Sequence, residues 1–494
     1  MTQETEFATI ILAAGKGTRM KSAKPKSLHE IAGLPMIGHA IKAAQAAQAA
    51  QITYTKPAKK PIKVKTQMYP SPDGDNWQDT EQPTITEPTT TESIAPIIVV
   101  ISPAQASDTK YDMQTVIKQS ASQTQIAIQD KPLGSADAVR AALPLLDNVR
   151  RVLIMFGDTP LIRPAVLSEL LSNPAQLTIL GFTVDDPTGY GRIVLEKDAP
   201  VQIIEHKDTD ATSRKIKLCN GGAMAVDADI LLGLIDGLSN DNAQNEYCLP
   251  GIIELAAAQN YKIDLIMGSH EDAMGADSRA GLARAEAILQ ARLRAGFLAE
   301  GVSLIAPETV YFSHDTIIGQ DVLIEPYCFF GPQTRIGNGT IIKAFSHIEG
   351  ADIGEQAIIG PYARLRPGTK LAKHVKIGNF VETKQAELDE GVKLNHLSYI
   401  GDARIGAQAN IGAGTITCNY DGFNKHITEI GAGVFIGSNS TLIAPIKIDT
   451  GAYIGAGSTL SKDVKADALA LTRAPVTQKD GWAAEFRTRK QTKT

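Results

Sequence analysis

Short apolar runs alternate with alanine-rich amphipathic stretches between Phe7 and about residue 278. This alternation is typical of the strands and crossover helices of a parallel sheet. It predicts buried strands at residues 8–12, 96–101, 151–156 and 177–184, and a helix that runs from Pro35 to Gln51. We therefore expect residues 1–278 to form an α/β domain.

A pattern with a period of six residues takes over after Gly301. Neither the helical period of 3.6 nor the strand period of 2 gives this spacing. It predicts a three-sided parallel β-helix over residues 301–494, in which each side is a short strand and the repeated apolar residue points inward. The alternative is an ordinary β-sandwich, which would need runs of period two and hairpin turns. The repeated residues, with a slip of one position after the sixth, are Ile318, Ile324, Phe330, Ile336, Ile342, Ile348, Ile353, Ile359, Leu365, Leu371, Ile377, Leu388, Leu394, Ile400, Ile430, Ile436, Leu442, Ile448, Ile454 and Leu460.

Two segments fit neither pattern. Residues 54–92 are rich in Pro, Thr, Lys and Asp, and they carry too little apolar surface to offset the entropy of ordering them. We expect a disordered insertion there, with a Pro-rich docking segment as the alternative. Residues 279–300 are rich in Ala, Leu and Arg at helical spacing, which predicts a helix that connects the two domains.

The composition of the chain argues against several classes of function. The chain has 494 residues with 49 Lys and Arg against 54 Asp and Glu, a net charge of −5, which argues against binding nucleic acid by bulk charge. The start of the sequence lacks a secretory signal, and no apolar run is long enough to span a bilayer, so we expect a cytoplasmic protein without a membrane partner. The four cysteines are far apart and show no zinc or redox spacing, which indicates reduced thiols.

The first candidate site is a glycine-rich loop that follows the first predicted strand. Gly15 and Gly17 allow backbone N–H groups to approach phosphate oxygens, and Arg19 and Lys26 can stabilise phosphate charge. Asp158 ends another predicted strand, at the edge where ligands bind in open parallel sheets. A carboxylate there suits Mg²⁺, although a helix or turn cap is the alternative interpretation.

The second candidate site lies where polar residues and a loop interrupt the six-residue repeat. Such interruptions commonly carry function in repeat proteins. His396 is the candidate general base, because imidazole titrates near neutral pH. A histidine that is only packed or exposed on the surface is the alternative.

Several segments of the chain together resemble a known family. They are ILAAGKGTRM, DPTGYGR, EHKD, ARLRPG, GNFVE, NHLSYIGD, NIGAGTITCNYDG and FIGSNS. The chain resembles the bacterial bifunctional N-acetylglucosamine-1-phosphate uridylyltransferases/glucosamine-1-phosphate N-acetyltransferases over nearly everything outside residues 54–92 and the last few residues. The resemblance implies a Rossmann-like nucleotidyltransferase domain, a left-handed β-helix of hexapeptide repeats and a homotrimer. The implied substrates are glucosamine 1-phosphate, acetyl-CoA, N-acetylglucosamine 1-phosphate and UTP, with Mg²⁺ as cofactor.

The resemblance also implies roles for individual residues. Arg19 and Lys26 are catalytic, and Asp158 and Asp277 bind Mg²⁺. The nucleotide and the N-acetylated sugar phosphate contact Leu12, Ala13, Ala14, Gly15, Lys26, Gln129, Gly134, Ser135, Gly191, Glu205 and Asn220. In the β-helix His396 deprotonates the 2-amino group, and glucosamine 1-phosphate is held by Arg366, Lys384, Tyr399 and Asn410. Acetyl-CoA, at a boundary between subunits, contacts Ala413, Asn419, Tyr420, Ser438, Ala456 and Arg473.

The sequence departs from the family pattern at a few positions near the first site. Asp277 replaces the usual Asn, and Pro132, Ser135, Asp137 and the pair Pro250-Gly251 replace other residues. These changes bear on the efficiency of uridylyl transfer more than on acetyl transfer. Two other functions stay open at this point: a nucleotidyltransferase whose β-helix only oligomerises or regulates, and a non-catalytic nucleotide-sugar binding protein.

Overall fold

The computed structural model describes residues 5–15, 17–55, 95–241 and 245–491. The insertion expected at 54–92 lies, from residue 56 onward, outside the described residues. The chain divides into two compact units, residues 1–288 and 289–494.

The first unit is an α/β structure. Its strands are β1 (Thr5–Leu12), β2 (Glu30–Ile31), β3 (Leu34–Pro35), β4 (Ile97–Ile101), β5 (Gln125–Ile128), β6 (Val149–Phe156), β7 (Leu177–Thr183), β8 (Arg192–Glu196), β9 (Ala199–Ile204), β10 (Leu218–Asp227) and β11 (Ile263–Met267). Its helices are α1 (Met36–Thr55), α2 (Pro103–Ser107), α3 (Met113–Ser120), α4 (Ser135–Ala142), α5 (Pro164–Ser172), α6 (Ala228–Asp236) and α7 (Ile252–Ala258). The four predicted strands correspond to β1, β4, β6 and β7, and the predicted helix corresponds to α1.

The main sheet has the strand order β11-β7-β10-β6-β1-β4-β5. Strands β6, β1, β4 and β5 are mutually parallel, and β11 is parallel to β7. Strand β10 is antiparallel to both β6 and β7, so the sheet is mixed rather than wholly parallel as expected. Leu12 and Phe156 pair at the ends of β1 and β6, which places the two following loops side by side at one edge of the sheet.

Helices cover both faces of this sheet. Successive side chains of a strand point to opposite faces, and both sets are apolar here. Ile11 and Leu153 pack with α1 and α5 on one face, while Ile10 and Val152 pack with α4 and α6 on the other. Full burial of such a side chain contributes about 1.5–3 kcal/mol to the stability of the fold. Because both faces of these strands are buried, their sequences are continuous apolar runs.

A long helix, α8, spans Arg279–Ala299, where the sequence predicted a connecting helix. The division between the two units falls within it.

The second unit is a parallel β-helix. From β12 to β22 each strand pairs with the third strand after it, so that Ile324, Ile342 and Ile359 stack at intervals of 18 and then 17 residues. All the apolar residues of the predicted repeat are buried in a single core, and the repeat with its slip is therefore confirmed. The strands are as follows: β12 (Ser303–Leu304), β13 (Tyr311–Phe312), β14 (Ile317–Ile318), β15 (Leu323–Ile324), β16 (Phe329–Phe330), β17 (Arg335–Ile336), β18 (Ile341–Ile342), β19 (His347–Ile348), β20 (Ala351–Ile353), β21 (Ile358–Ile359), β22 (Arg364–Leu365), β23 (Thr369–Leu371), β24 (Lys376–Asn379), β25 (Glu382–Leu388), β26 (Lys393–His396), β27 (Tyr399–Ile405), β28 (Asn410–Ile411), β29 (Ile416–Cys418), β30 (Thr428–Ile430), β31 (Phe435–Ile436), β32 (Thr441–Ile443), β33 (Ile446–Ile448), β34 (Tyr453–Ile454), β35 (Thr459–Leu460) and β36 (Leu469–Ala470).

One face of the β-helix carries a charge ladder, in which the sign alternates from one coil to the next. Its members, in stacking order, are Arg335, Asp352, Lys370, Glu387, Arg404, Glu429, Lys447 and Asp463. Lys370 Nζ lies 3.0 Å from Glu387 Oε1, and Arg404 Nε lies 3.9 Å from Glu387 Oε2. Opposite charges on facing strands favour this register, and like charges would oppose it.

A loop of nine residues, 419–427, leaves the β-helix between β29 and β30. The last helix, α9 (Trp482–Gln491), is exposed along its whole length. Among the described residues, none of the helices is both long and apolar enough to cross a membrane.

Candidate active sites

The glycine-rich loop after β1 folds closely against Lys26. Gly17 has a φ of +59°, and a Cβ built on it would lie 2.6 Å from Lys26 Cβ. Only glycine adopts that backbone conformation at no cost and fits this contact. The loop therefore depends on the second glycine of the predicted motif to bring Lys26 to the edge of the sheet.

Two ion pairs connect the predicted cations with the predicted metal ligands. Lys26 Nζ contacts Asp158 Oδ2, and Arg19 Nη1 lies 2.6 Å from Asp277 Oδ2. Ala276 N donates to Asp158 O at 3.0 Å, which fixes the segment of Asp277 beside that of Asp158. Two carboxylates on adjoining segments are the hard oxygen donors that Mg²⁺ prefers together with phosphate oxygens, so these residues fit that ion.

A cavity of about 470 Å³ opens beside this loop. Of the residues expected to contact the nucleotide, Ala14, Gly15 and Gln129 line it. Leu12 and Ala13 are buried, so that a ligand could reach only their backbone. Ser135 Oγ accepts from Leu249 N at 2.9 Å and so joins the start of α4 to the segment that contains Pro250-Gly251.

The cavity also shows residues that sequence reasoning missed. Ser102 and Gln105, at the start of α2, line it and cap that helix reciprocally. The Gln105 amide Nε2 also donates to Ala13 O at 3.0 Å, which ties α2 to the glycine-rich loop. The pattern Ser-x-x-Gln before a helix is a capping-box signal, and it could have indicated these residues.

The predicted sugar-binding residues of the first unit also lie together. Asn220 N donates to Gly191 O at 2.9 Å, and a Cβ on Gly191 would lie 3.4 Å from Glu205 Oε1. Burial, with a smaller contribution from Asp208, raises the pKa of Glu205. Among the residues that the structure describes, no cation pairs with this partly buried carboxyl, which therefore suits hydroxyl groups as ligands better than phosphate.

His396 has a defined tautomer in the second unit. Its Nδ1 lies 2.8 Å from Asn379 Oδ1, and Asn379 and His396 pair in register on β24 and β26. Because an amide oxygen only accepts, Nδ1 must donate the proton, and this leaves the lone pair of Nε2 available to a substrate. Asn379 is a further residue that the sequence reasoning missed.

Cationic side chains gather near the start of β25. Arg366 Nη1 donates to Glu382 Oε1 at 2.8 Å, which fixes the guanidinium. A hydrogen-bond contact with Lys425 and the charge of Lys425 lower the pKa of Lys384, with smaller contributions from desolvation and from the charge of Arg366. Several cations held this close favour an anion such as a phosphate. Lys425, from the loop 419–427, was not predicted.

The remaining sugar residues lie on the same coils. A Cβ on Gly401 would lie 2.5 Å from Tyr399 Oη and 2.9 Å from Asn419 Nδ2, so the glycine makes room for both side chains. Asn419 Nδ2 also donates to Asp402 Oδ2. Asn410 stacks on Lys393, at the start of the strand that ends in His396.

Three of the residues expected to contact acetyl-CoA, Ala413, Ser438 and Ala456, form a row of small side chains on successive coils. Asn439 N donates to Ala413 O at 2.7 Å, and Gly457 N donates to Ser438 O at 2.8 Å. Arg473 lies at the end of this row, close to Gly455: a Cβ built on that glycine would be 3.4 Å from Arg473 Nη2. The row leaves a smooth strip beside which an extended ligand can lie.

The loop 419–427 that carries Tyr420 is held by Asp421. This carboxylate accepts from Phe423 N, Asn424 N and His426 Nε2 at 2.8, 2.7 and 2.7 Å. Hydrogen bonds from Asn424 and His426 lower the pKa of Asp421. Tyr420 itself is exposed and available to a ligand.

Two family models match parts of the chain, and curated relatives are similar to it over nearly its whole length. The family model described as "MobA-like NTP transferase domain" matches residues 9–77. The family model described as "Bacterial transferase hexapeptide (six repeats)" matches residues 315–350 and 427–462. "Bifunctional protein GlmU" from Azorhizobium caulinodans is 43% identical over 488 residues, which cover 98% of this chain and 98% of that protein. The protein of the same name from Bradyrhizobium sp. (strain ORS 278) is 44% identical over 486 residues, with 98% and 97% covered. That from Zymomonas mobilis is 40% identical over 500 residues, with 100% of both covered.

Proposed function

The chain belongs to the family of bifunctional GlmU proteins, and we propose which of its residues carry out the two reactions. It is a bifunctional enzyme of UDP-N-acetylglucosamine synthesis, both an N-acetyltransferase and a uridylyltransferase. The β-helix acetylates glucosamine 1-phosphate, and the α/β unit then joins the product to UTP.

In acetyl transfer His396 is the general base. Its Nε2 takes a proton from the 2-amino group of glucosamine 1-phosphate, while Asn379 holds Nδ1–H. The nitrogen attacks the thioester carbonyl of acetyl-CoA, the C–N bond forms, the C–S bond breaks, and the thiolate leaves and takes up a proton. Arg366 and Lys384 hold the sugar phosphate, and the row from Ala413 to Ala456 holds the coenzyme.

In uridylyl transfer a phosphate oxygen of N-acetylglucosamine 1-phosphate attacks the α-phosphorus of UTP, and pyrophosphate leaves. Arg19 stabilises the charge on the leaving group, and Lys26 orients the sugar phosphate. Asp158 and Asp277 would hold Mg²⁺, and the ion would supply neutralisation of phosphate charge. Glu205 and Asn220 orient the sugar through its hydroxyl and acetamido groups.

The acetyltransferase assignment is carried by the bond between His396 and Asn379, together with the group of cations formed by Arg366, Lys384 and Lys425. A β-helix that only oligomerises has no need of a histidine fixed in one tautomer or of a cluster of cations. We also propose that the enzyme is a homotrimer, as the family resemblance implies. It acts in the cytoplasm, where UTP and acetyl-CoA are available and where four unpaired cysteines stay reduced.

The test follows free thiol and pyrophosphate separately in one mixture of glucosamine 1-phosphate, acetyl-CoA, UTP and Mg²⁺. We expect His396→Ala to abolish thiol release while keeping pyrophosphate release from added N-acetylglucosamine 1-phosphate. Asp158→Ala should do the reverse. His347→Ala, which changes an exposed histidine earlier in the β-helix, is the matched control and should keep both. Thiol release that survives in the His396 variant would contradict the proposal.

A further inference from the structure

The side chain of Gln129 is held in one orientation. It is 7% exposed, and its Nε2 donates to Gly134 O at 2.9 Å and to Asp137 Oδ2 at 2.9 Å. A backbone carbonyl and a carboxylate can only accept hydrogen bonds. A flipped amide would place Oε1 against two acceptors, so the chemistry of its neighbours fixes this orientation.

The amide oxygen of Gln129 is consequently the group left for a ligand. Within the described part of the chain, no donor reaches Gln129 Oε1, and Gln129 lines the cavity beside the glycine-rich loop. A base in this cavity therefore meets an acceptor. Uracil presents the donor N3–H, whereas the N3 of cytosine is itself an acceptor.

We propose that Asp137 is a specificity-determining positioning residue, which selects uracil over cytosine by holding the Gln129 carboxamide with its oxygen toward the base. The inference rests on the proposed function, because the base is that of UTP. Asp137 touches no substrate. It acts through Gln129 from the first turn of α4, and it is one of the positions where this chain departs from the family pattern.

A purely structural role is the competing interpretation, since an acidic residue in the first turn of a helix also favours the helix dipole. The two roles predict different measurements. Loss of a dipole interaction lowers stability and leaves the choice of base unchanged. Loss of the orientation changes the choice of base, because a flipped amide donates to the N3 of cytosine and no longer accepts from uracil.

The experiment measures the ratio of kcat/KM for UTP to that for CTP, with the full-length enzyme in mixtures of both nucleotides. The ratio does not depend on how much of the protein is folded, so a less stable variant still gives an answer. We expect Asp137→Ala to lower the ratio about tenfold, the value of one hydrogen bond to a charged group. Asp137→Asn keeps an oxygen acceptor and should retain most of the selectivity.

The matched control is Asp229→Ala, which removes an acidic residue from the first turn of another helix, α6. Among the described residues Asp229 makes no hydrogen bond to Gln129, and the ratio of this variant should equal that of the unchanged enzyme. A ratio within twofold of the unchanged enzyme in Asp137→Ala would overturn the inference, as would equal losses in the Ala and Asn variants. An unchanged enzyme that turns over neither nucleotide would overturn the proposed function together with it.

Discussion

Asp272 connects the uridylyltransferase site to the stability of its unit. The side chain is fully buried, and its carboxylate accepts from Arg163 Nε and Nη2 at 2.8 and 2.6 Å and from Ser269 N and Oγ at 2.9 and 2.7 Å. These bonds fix the turn that leads to Asp277. The substitution Asp272→Asn changes only one atom of this arrangement, and it places an NH₂ group against two of the donors.

The pKa of Asp272 indicates how much the carboxylate contributes to the free energy of unfolding. Burial alone would raise this pKa, but the hydrogen bonds from Arg163 and Ser269 outweigh burial and lower it from 3.8 to about 2. A difference of roughly 2 units corresponds to about 2.5 kcal/mol. We therefore expect Asp272→Asn to lower the free energy of unfolding of the first unit by about 3 kcal/mol, which includes the unpaired donors.

The assay is urea unfolding followed by far-UV circular dichroism at the helical band. Helices α1 to α7 all belong to the first unit, so that this signal reports mainly on it. Asp264→Asn is the matched control, because Asp264 Oδ2 accepts from Asn173 Nδ2 at 2.8 Å without an arginine partner. We expect it to cost about 1 kcal/mol.

The pH dependence gives an independent check. Since the pKa of Asp272 is lower in the folded state than in the unfolded state, its contribution is fully present above about pH 4. It is lost as the pH falls through about 2. The difference between the unchanged protein and Asp272→Asn should therefore narrow below pH 4. A difference below about 1 kcal/mol at pH 7, or one that stays constant down to pH 2.5, would refute this account of the carboxylate.

Three further predictions follow from the two sites. Asn379→Ala should lower kcat for acetyl transfer roughly tenfold, because His396 then loses its fixed tautomer; thiol release measures this, and Asn379→Asp, which keeps the acceptor, should restore part of it. Gly17→Ala should lower uridylyl transfer at least tenfold, because a Cβ there meets Lys26 at 2.6 Å; pyrophosphate release would fall while thiol release stays, and equal loss of both would contradict the reasoning. In EDTA, the Asp277→Asn variant should bind UTP about fivefold more tightly than the unchanged enzyme, because Arg19 becomes free to contact phosphate. With Mg²⁺ the variant should bind UTP more weakly, because a proposed metal ligand is lost. Titration calorimetry under the two conditions should therefore give opposite changes in affinity.

The architecture of the β-helix could be read from the sequence, because one inward apolar residue per six is a period that no other regular structure shares. Every residue of that repeat, including the slip at Ile353, is buried as predicted. The α/β unit was predicted less completely. Strand β10, with the sequence LCNGGAMAVD, interrupts its apolar residues with Asn and Gly, and no local pattern reports the direction in which a strand runs, so its antiparallel pairing could not be foreseen.

The predicted site residues fall into groups that the fold brings together, such as Gly191 with Glu205 and Asn220. The partners that orient them were missed. Asn379 lies 17 residues before His396 and becomes its neighbour only through stacking of two coils. Gln105 reaches Ala13 across 92 residues. Such contacts depend on tertiary register, which a motif search along the chain does not contain.

The charge ladder limits how the β-helix can change length. Removing one coil would bring two residues of equal charge together. For example, without the coil of Glu387, Lys370 would face Arg404, and like charges on facing strands oppose pairing. Removing two adjacent coils would leave Lys370 facing Glu429 and keep every neighbour opposite in sign. Deletion or insertion of an even number of coils within the ladder should therefore preserve the pairing of opposite charges in the β-helix, whereas an odd number should disrupt it.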